Sequence, residues 1–195
     1  SGYYKFYKRV IERAGQIKKQ GKGDTFDVFA FHWAGWYGSY KTLNDFSDNR
    51  DYNFKEYVED IKNDLNANNI NAEIWITEMS TYSGDPVDER VSNPPQSEKQ
   101  QAVELVKRYV YPLSAGIRKI FWVKITEWHN FARKGINRFY DNTGLVNNPA
   151  FDGDSSKKLA YYTFKKMTEV LEGSDWDNIQ TVQEEGSIYI YKFTR

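Results

Sequence analysis

Phe26-Asp27-Val28-Phe29-Ala30-Phe31-His32 is an almost unbroken apolar run of strand length, and the fold turns on what precedes and follows it. A strand with one face in water alternates apolar and polar residues, whereas a continuous apolar run is buried on both faces, as parallel strands are. Upstream, Tyr3, Tyr7, Val10, Ile11, Ala14 and Ile17 recur at three- and four-residue steps among Lys, Arg, Glu and Gln. That spacing predicts an amphipathic helix over residues 3–19, stopped by Gly21 and Gly23.

The same pattern follows twice more. Tyr57, Val58, Ile61 and Leu65 form a second helical stripe, the Asn-rich residues 66–71 close it, and Glu73-Ile74-Trp75-Ile76-Thr77-Glu78 is the next apolar run. After Pro94-Pro95, Ser97 is placed to cap a helix carrying Ala102, Val103, Val106, Val110 and Leu113. Gly116 and the run Ile120-Phe121-Trp122-Val123-Lys124-Ile125 complete that unit. Helices alternating with buried strands predict right-handed crossovers and an α/β fold with a parallel sheet. A last helix is expected over residues 155–171, with Leu159, Tyr162, Met167, Val170 and Leu171 on its stripe and Gly173 at its end. The period then changes to two, and residues 179–183 and 187–193, around Glu184-Glu185-Gly186, predict an antiparallel hairpin.

Composition narrows the function classes. Twenty-seven Lys and Arg balance 27 Asp and Glu, so the net charge is zero, which argues against a strongly basic nucleic-acid binder. Aromatic residues make up 17% of the chain, far too many for a disordered polymer. Cysteine is absent, which excludes disulfides, thiolate metal sites and a Cys nucleophile. No apolar run approaches the roughly 20 residues that span a bilayer, so no membrane partner is expected. The start Ser1-Gly2-Tyr3-Tyr4-Lys5 lacks the features of a signal peptide and an initiator Met, consistent with a mature product, a trimmed fragment or a start left by cloning. At 195 residues the chain has the length of one domain, short of the roughly 250 that a closed eight-unit α/β barrel takes.

In parallel α/β folds, chemistry collects beyond the carboxyl ends of the strands. The first run ends at His32 and opens into Trp33-Ala34-Gly35-Trp36-Tyr37. The second ends at Glu78 before Met79-Ser80-Thr81-Tyr82, and the third reaches Glu127 before Trp128-His129. Both histidines and two carboxylates therefore gather at one edge, among long loops of the kind that serve binding sites. Trp and Tyr faces stack on sugar C–H faces, while carboxylates between them repel phosphate, so a carbohydrate fits better than a nucleotide. A pair of carboxylates flanking the bond is the arrangement of glycoside hydrolysis. Plainer roles stand beside these. Glu78 could cap a loop or pair with an Arg, His32 could be a hydrogen-bonded core side chain, and Glu127 could be a supporting partner. Trp75 and Trp122 lie within strand runs and suit packing, whereas Trp33, Trp36 and Trp128 suit sugar platforms. Asp152-Gly153-Asp154 lacks EF-hand ligand spacing and is expected to be a turn and helix cap.

The strings Phe26–Trp33, Ile74-Trp75-Ile76-Thr77-Glu78 and Phe121-Trp122-Val123 resemble strands six, seven and eight of clan A glycoside hydrolases, in that order. The stretch from Gly144-Leu145-Val146 to Ala160-Tyr161-Tyr162 is similar to the segment before their final helix. This resemblance covers residues 1 to about 175 and implies a partial TIM-barrel-like sheet of about three βα units. Residues 176–195 would begin an appended β-sandwich. It further implies a retaining glycosidase with Glu78 as nucleophile, His32 beside it, and Trp122 or Trp128 as the sugar floor. Trp33, Trp36, Tyr82 and Glu127 would complete carbohydrate binding, and neither metal nor organic cofactor is needed. One departure stands out: the clan takes its acid/base Glu from an Asn-Glu pair after strand four, and no Asn-Glu dipeptide occurs here. The expected partner is accordingly the remainder of the barrel, or a second copy, covering the open sheet edge. The alternatives are a non-catalytic carbohydrate-binding or assembly module and, less specifically, an interaction protein with an aromatic surface.

Overall fold

The computed structural model describes residues 2–34, 41–45, 50–86, 94–127, 139–152 and 156–195. The first helix, α1 (Gly2–Lys19), feeds strand β1 (Val28–Ala34). A short antiparallel pair, β2 (Thr42–Asp45) and β3 (Arg50–Asn53), leads into α2 (Phe54–Ala67) and β4 (Glu73–Ser80). Helix α3 (Glu98–Ser114) and β5 (Lys119–Trp122) form the next unit. After a 3₁₀ turn at Phe139–Asn142 come α4 (Pro149–Asp152), α5 (Leu159–Leu171) and the hairpin β6 (Gln180–Glu185) and β7 (Ile188–Lys192).

Local chemistry sets the helix ends. The Asn53 side chain accepts from the amides of Lys55 and Glu56 at the start of α2. Ser97 and Gln100 form a reciprocal capping box at the start of α3, and such caps contribute about 1 kcal/mol each. Gly116, at φ +88°, takes the left-handed turn just beyond α3 that a side chain would strain.

The central sheet has order β1-β4-β5, all parallel. One face carries Phe29, Phe31 and Trp33 from β1 with Ile74, Ile76 and Met79 from β4. These pack on Ile11 and Ala14 of α1, Phe54, Val58 and Ile61 of α2, Leu105 and Tyr109 of α3, and Ala160 and Met167 of α5. Each large apolar side chain buried this way contributes about 1.5–3 kcal/mol. The other face carries exposed Ala30 and His32, half-buried Trp75 and Phe121, which is 47% exposed. Among the described residues no helix layer covers that face, so the sheet is a segment of barrel wall whose interior side is open.

The terminal hairpin folds back on the helices. Lys55 pairs with Glu184, Tyr191 donates to the same carboxylate, and Tyr189 meets Tyr111 edge-on at 6.3 Å. Its outer face leaves Val182, Ile188 and Ile190 exposed. The stripes expected from the sequence are narrower in place: Val10, Val103, Leu159, Tyr162 and Val170 are exposed. Helix α5 also begins at Leu159, later than expected, and the β2–β3 pair lies where a loop was expected. Gly153 and Asp154 of the expected turn, and Ser155 at the expected start of the last helix, lie outside the described residues.

Candidate active site

The carboxyl edge of the sheet is shaped by one extra residue in β4. On β1, Phe31 is opposite Ile76 but His32 is opposite Glu78; on β5, Ile120 is opposite Ile76 but Trp122 is opposite Met79. Both neighbours thus register a bulge at Thr77–Glu78. Its effect is on direction. Ile74 and Ile76 point into the helix layer, and strict alternation would send Glu78 after them. The bulge instead returns Met79 to the core, fully buried, and leaves Thr77 and Glu78 off it. Thr77 Oγ1 donates to the Phe31 carbonyl at 3.4 Å across the irregular step.

Glu78 consequently meets His32, with Oε2 3.3 Å from Nδ1, and the two side chains are 42% and 61% exposed. A carboxylate and an imidazole in contact, both reachable from solvent, form a pair that can hold and transfer a proton or present a nucleophilic oxygen. A cation stands near them. Lys124 follows β5, after Val123 has bonded through its amide to the Met79 carbonyl at 2.9 Å. Partial burial pulls the Lys124 ammonium below its ordinary value, opposed by the carboxylates of Asp141 and Glu78. Asp141, 3% exposed, sits on the 3₁₀ turn. Neither Lys124 nor Asp141 was singled out by the sequence; the one available signal was Lys124's position two residues past Trp122.

Several expected site residues lie elsewhere. Trp33 was expected to be a loop platform, but β1 continues through it: it is 3% exposed, stacked on Phe54 at 4.3 Å, with the Arg108 guanidinium 5.3 Å from its ring. Tyr82 is 2% exposed, donates to the Pro94 carbonyl at 2.7 Å and packs edge-on against Phe139. Buried ring faces such as these cannot stack on a sugar. Trp122 lies with Ile120 toward the helices, parallel to Tyr109, and its Nε1 donates to the Thr143 carbonyl at 3.0 Å, which fits the packing role. Trp36 and Trp128 lie outside the described residues.

Glu127 is held by the segment before α5. Its carboxylate is paired with Lys158, which is 3% exposed, and its backbone bonds to Val146 and Asn148. A Cβ on Gly144 would lie 2.4 Å from the Glu127 amide nitrogen, so this close approach requires glycine. The arrangement makes Glu127 an anchor for the chain between β5 and α5 rather than a second free carboxylate. Among the described residues no group of three His, Asp or Glu side chains could hold a metal ion.

The solved structure of a family 39 glycoside hydrolase from the gut symbiont Bacteroides cellulosilyticus WH2 superposes on this chain with a TM-score of 0.63 at 15% identity. The match takes in 92% of this chain and 34% of that one. The chain therefore shares the fold of part of a (β/α) barrel. It spans about a third of that protein's length. Looser likenesses are to a Ruminococcus gnavus beta-glucuronidase, at TM-score 0.45 and 16% identity over 73% of this chain and 22% of that one. A beta-glucosidase from Exiguobacterium marinum gives 0.42 and 11%, over 80% and 38%. No family model matches the chain, and no curated protein does.

Proposed function

We propose that these residues form the C-terminal part of a retaining glycoside hydrolase barrel, with Glu78 as the nucleophile. The observation that carries this is the β4 bulge, which turns Glu78 out of the core and places it 3.3 Å from His32 at the carboxyl edge of the sheet. In the proposed reaction a Glu78 oxygen attacks the anomeric carbon while a carboxylic acid protonates the leaving oxygen, and water then releases the glycosyl group from Glu78. His32 orients the carboxylate by hydrogen bonding, and Lys124 places a positive charge beside the pair. The acid belongs to the rest of the barrel, because Glu127 is committed to Lys158. The remainder of the barrel would also cover Phe121 and the free edges of β1 and β5. The test is hydrolysis of aryl β-glycosides by the completed barrel. Glu78→Gln should lower kcat by at least about 10³-fold, a nucleophile-sized loss; turnover at the parent rate would refute the assignment.

The capture of Glu127 also favours a second reading for the 195 residues alone: a carbohydrate-binding or assembly module without turnover. It requires saturable sugar binding, observed as perturbation of His32 resonances, with no product formed.

A further inference from the structure

Asp141 is a buried carboxylate to which the proposed reaction gives no role. It sits on the 3₁₀ turn Phe139–Asn142, and burying a carboxylate is costly unless a cation or hydrogen bonds come with it. The turn is fastened to the strand ends that make the site. Beyond β4, the Ser83 amide donates to the Asn142 carbonyl at 3.1 Å; on β5, Trp122 Nε1 donates to the Thr143 carbonyl at 3.0 Å. Gln101, fully buried on α3, ties the two together: its Nε2 donates to the Thr81 carbonyl at 3.1 Å and to the Gly144 carbonyl at 3.4 Å. Phe139 closes the contact edge-on against Tyr82 at 5.4 Å. Asp141 therefore rides on a turn that cannot shift without moving Thr81 and Trp122.

Lys124 reaches the same place from β5. The Val123 amide bonds to the Met79 carbonyl, which sets Lys124 just past the end of β5, beside the strand segment that carries Glu78. Two carboxylates act on its ammonium, Asp141 more strongly than Glu78. The other charged groups here have partners of their own: Lys158, 3.5 Å from the Asn142 carbonyl, is paired with Glu127, and His32 contacts Glu78. A lysine stem is flexible, so an ammonium beside one accessible carboxylate is weakly held. A second carboxylate on a rigid turn supplies the hold, and a charge fixed before the reaction begins costs no reorganisation during it.

We propose that Asp141 is a positioning residue of this site: from a turn fastened to the ends of β4 and β5, it holds the Lys124 ammonium at the Glu78–His32 pair and so presents a fixed cation beside the nucleophile. The inference rests on the reading of Glu78 as nucleophile. Its test follows the Lys124 Nζ resonance in the nitrogen-labelled 195-residue chain, assigned by its loss in Lys124→Gln. Asp141→Asn should move the Lys124 titration midpoint down by at least about half a pH unit, because a charge that favours the ammonium is gone, and Glu78→Gln should move it down less. In the completed barrel, Lys124→Gln and Asp141→Asn should each lower kcat by about 10-fold or more, and the double replacement should lose no more than Lys124→Gln alone, since Asp141 acts through Lys124. An Asp141→Asn chain that fails to fold is read in the Lys124→Gln background, where the missing cation makes the neutral side chain acceptable. A Lys124 midpoint unmoved by Asp141→Asn, losses that multiply in the double variant, or a double variant that unfolds where Lys124→Gln folds would each overturn the inference. Turnover at the parent rate in Glu78→Gln, with the Lys124 midpoint still moved by Asp141→Asn, would refute the nucleophile while upholding the hold of Asp141 on Lys124.

Discussion

Replacing Lys158 with Met separates the two roles open to Glu127. The Lys158 and Glu127 side chains are 3% and 10% exposed, so the substitution leaves a carboxylate in a nearly dry site without its cation. Breaking a buried pair from one side costs about 3–5 kcal/mol. That is a large share of the roughly 5–15 kcal/mol that holds a domain folded. At about 2–4 °C per kcal/mol for a chain of this size, Tm should fall by roughly 6–20 °C. Urea unfolding followed by tryptophan fluorescence and circular dichroism measures the change directly. The double replacement Lys158→Met with Glu127→Leu should recover most of the loss, since apolar residues can replace a buried pair at little cost. A loss below about 1 kcal/mol for Lys158→Met would refute the reasoning, because only a hydrated carboxylate tolerates the change so well. Glu127 would then be reachable from solvent and again a candidate for carbohydrate binding.

Two further expectations concern the bulge and the hairpin. Deleting Thr77 removes the extra residue of the bulge, and strict alternation then keeps Glu78 on the face opposite Ile76, with Met79 in the core; the variant loses the Thr77 hydrogen bond to Phe31, about 0.5–1.5 kcal/mol, so calorimetry should show only a small fall in Tm, and a loss above about 3 kcal/mol, the size expected for a carboxylate turned inward, would argue against the bulge. Glu184 has its carboxyl held below the ordinary value: burial raises it, but hydrogen bonds from Lys55 and Tyr191 and the charges of Lys55 and Lys41 outweigh that. A depressed carboxyl contributes stability above its unfolded value, near pH 4.3, and loses it as pH falls through the lower folded value. Tyr189 and Tyr191 resonances should therefore report the hairpin loosening below about pH 4, and Glu184→Gln, weaker at neutral pH, should lack that acid transition; an identical transition in the variant would count against it.

The sheet was legible because its three strands are apolar runs bounded by Gly, Pro and Asn, and the helices because their stripes recur at helical spacing. Direction at the strand ends was not. Nothing in Ile76-Thr77-Glu78-Met79 announces a bulge, yet that one residue decides whether Glu78 faces helices or the open side. Trp33 was misplaced for a related reason: β1 runs two residues past His32, and alternation then carries the indole inward with Phe29 and Phe31. Tyr82 follows a strand and looks like a loop aromatic, but long-range packing with Phe139 buries it. The β2–β3 pair was missed because Thr42-Leu43-Asn44-Asp45 has no apolar period. Lys124 and Asp141 converge through the fold from positions 17 residues apart, which no local pattern reveals.

The most direct test of Glu78 as the nucleophile is covalent trapping. The completed barrel would be treated with activated 2-deoxy-2-fluoro-β-glycosides, which slow release of the glycosyl-enzyme intermediate of a retaining enzyme, and then digested for peptide mass analysis. A mass increase of one fluoroglycosyl unit on the peptide containing Glu78, absent in Glu78→Gln, is the expected result. Stoichiometric labelling of a different carboxylate, or inactivation of Glu78→Gln at the parent rate, would contradict it.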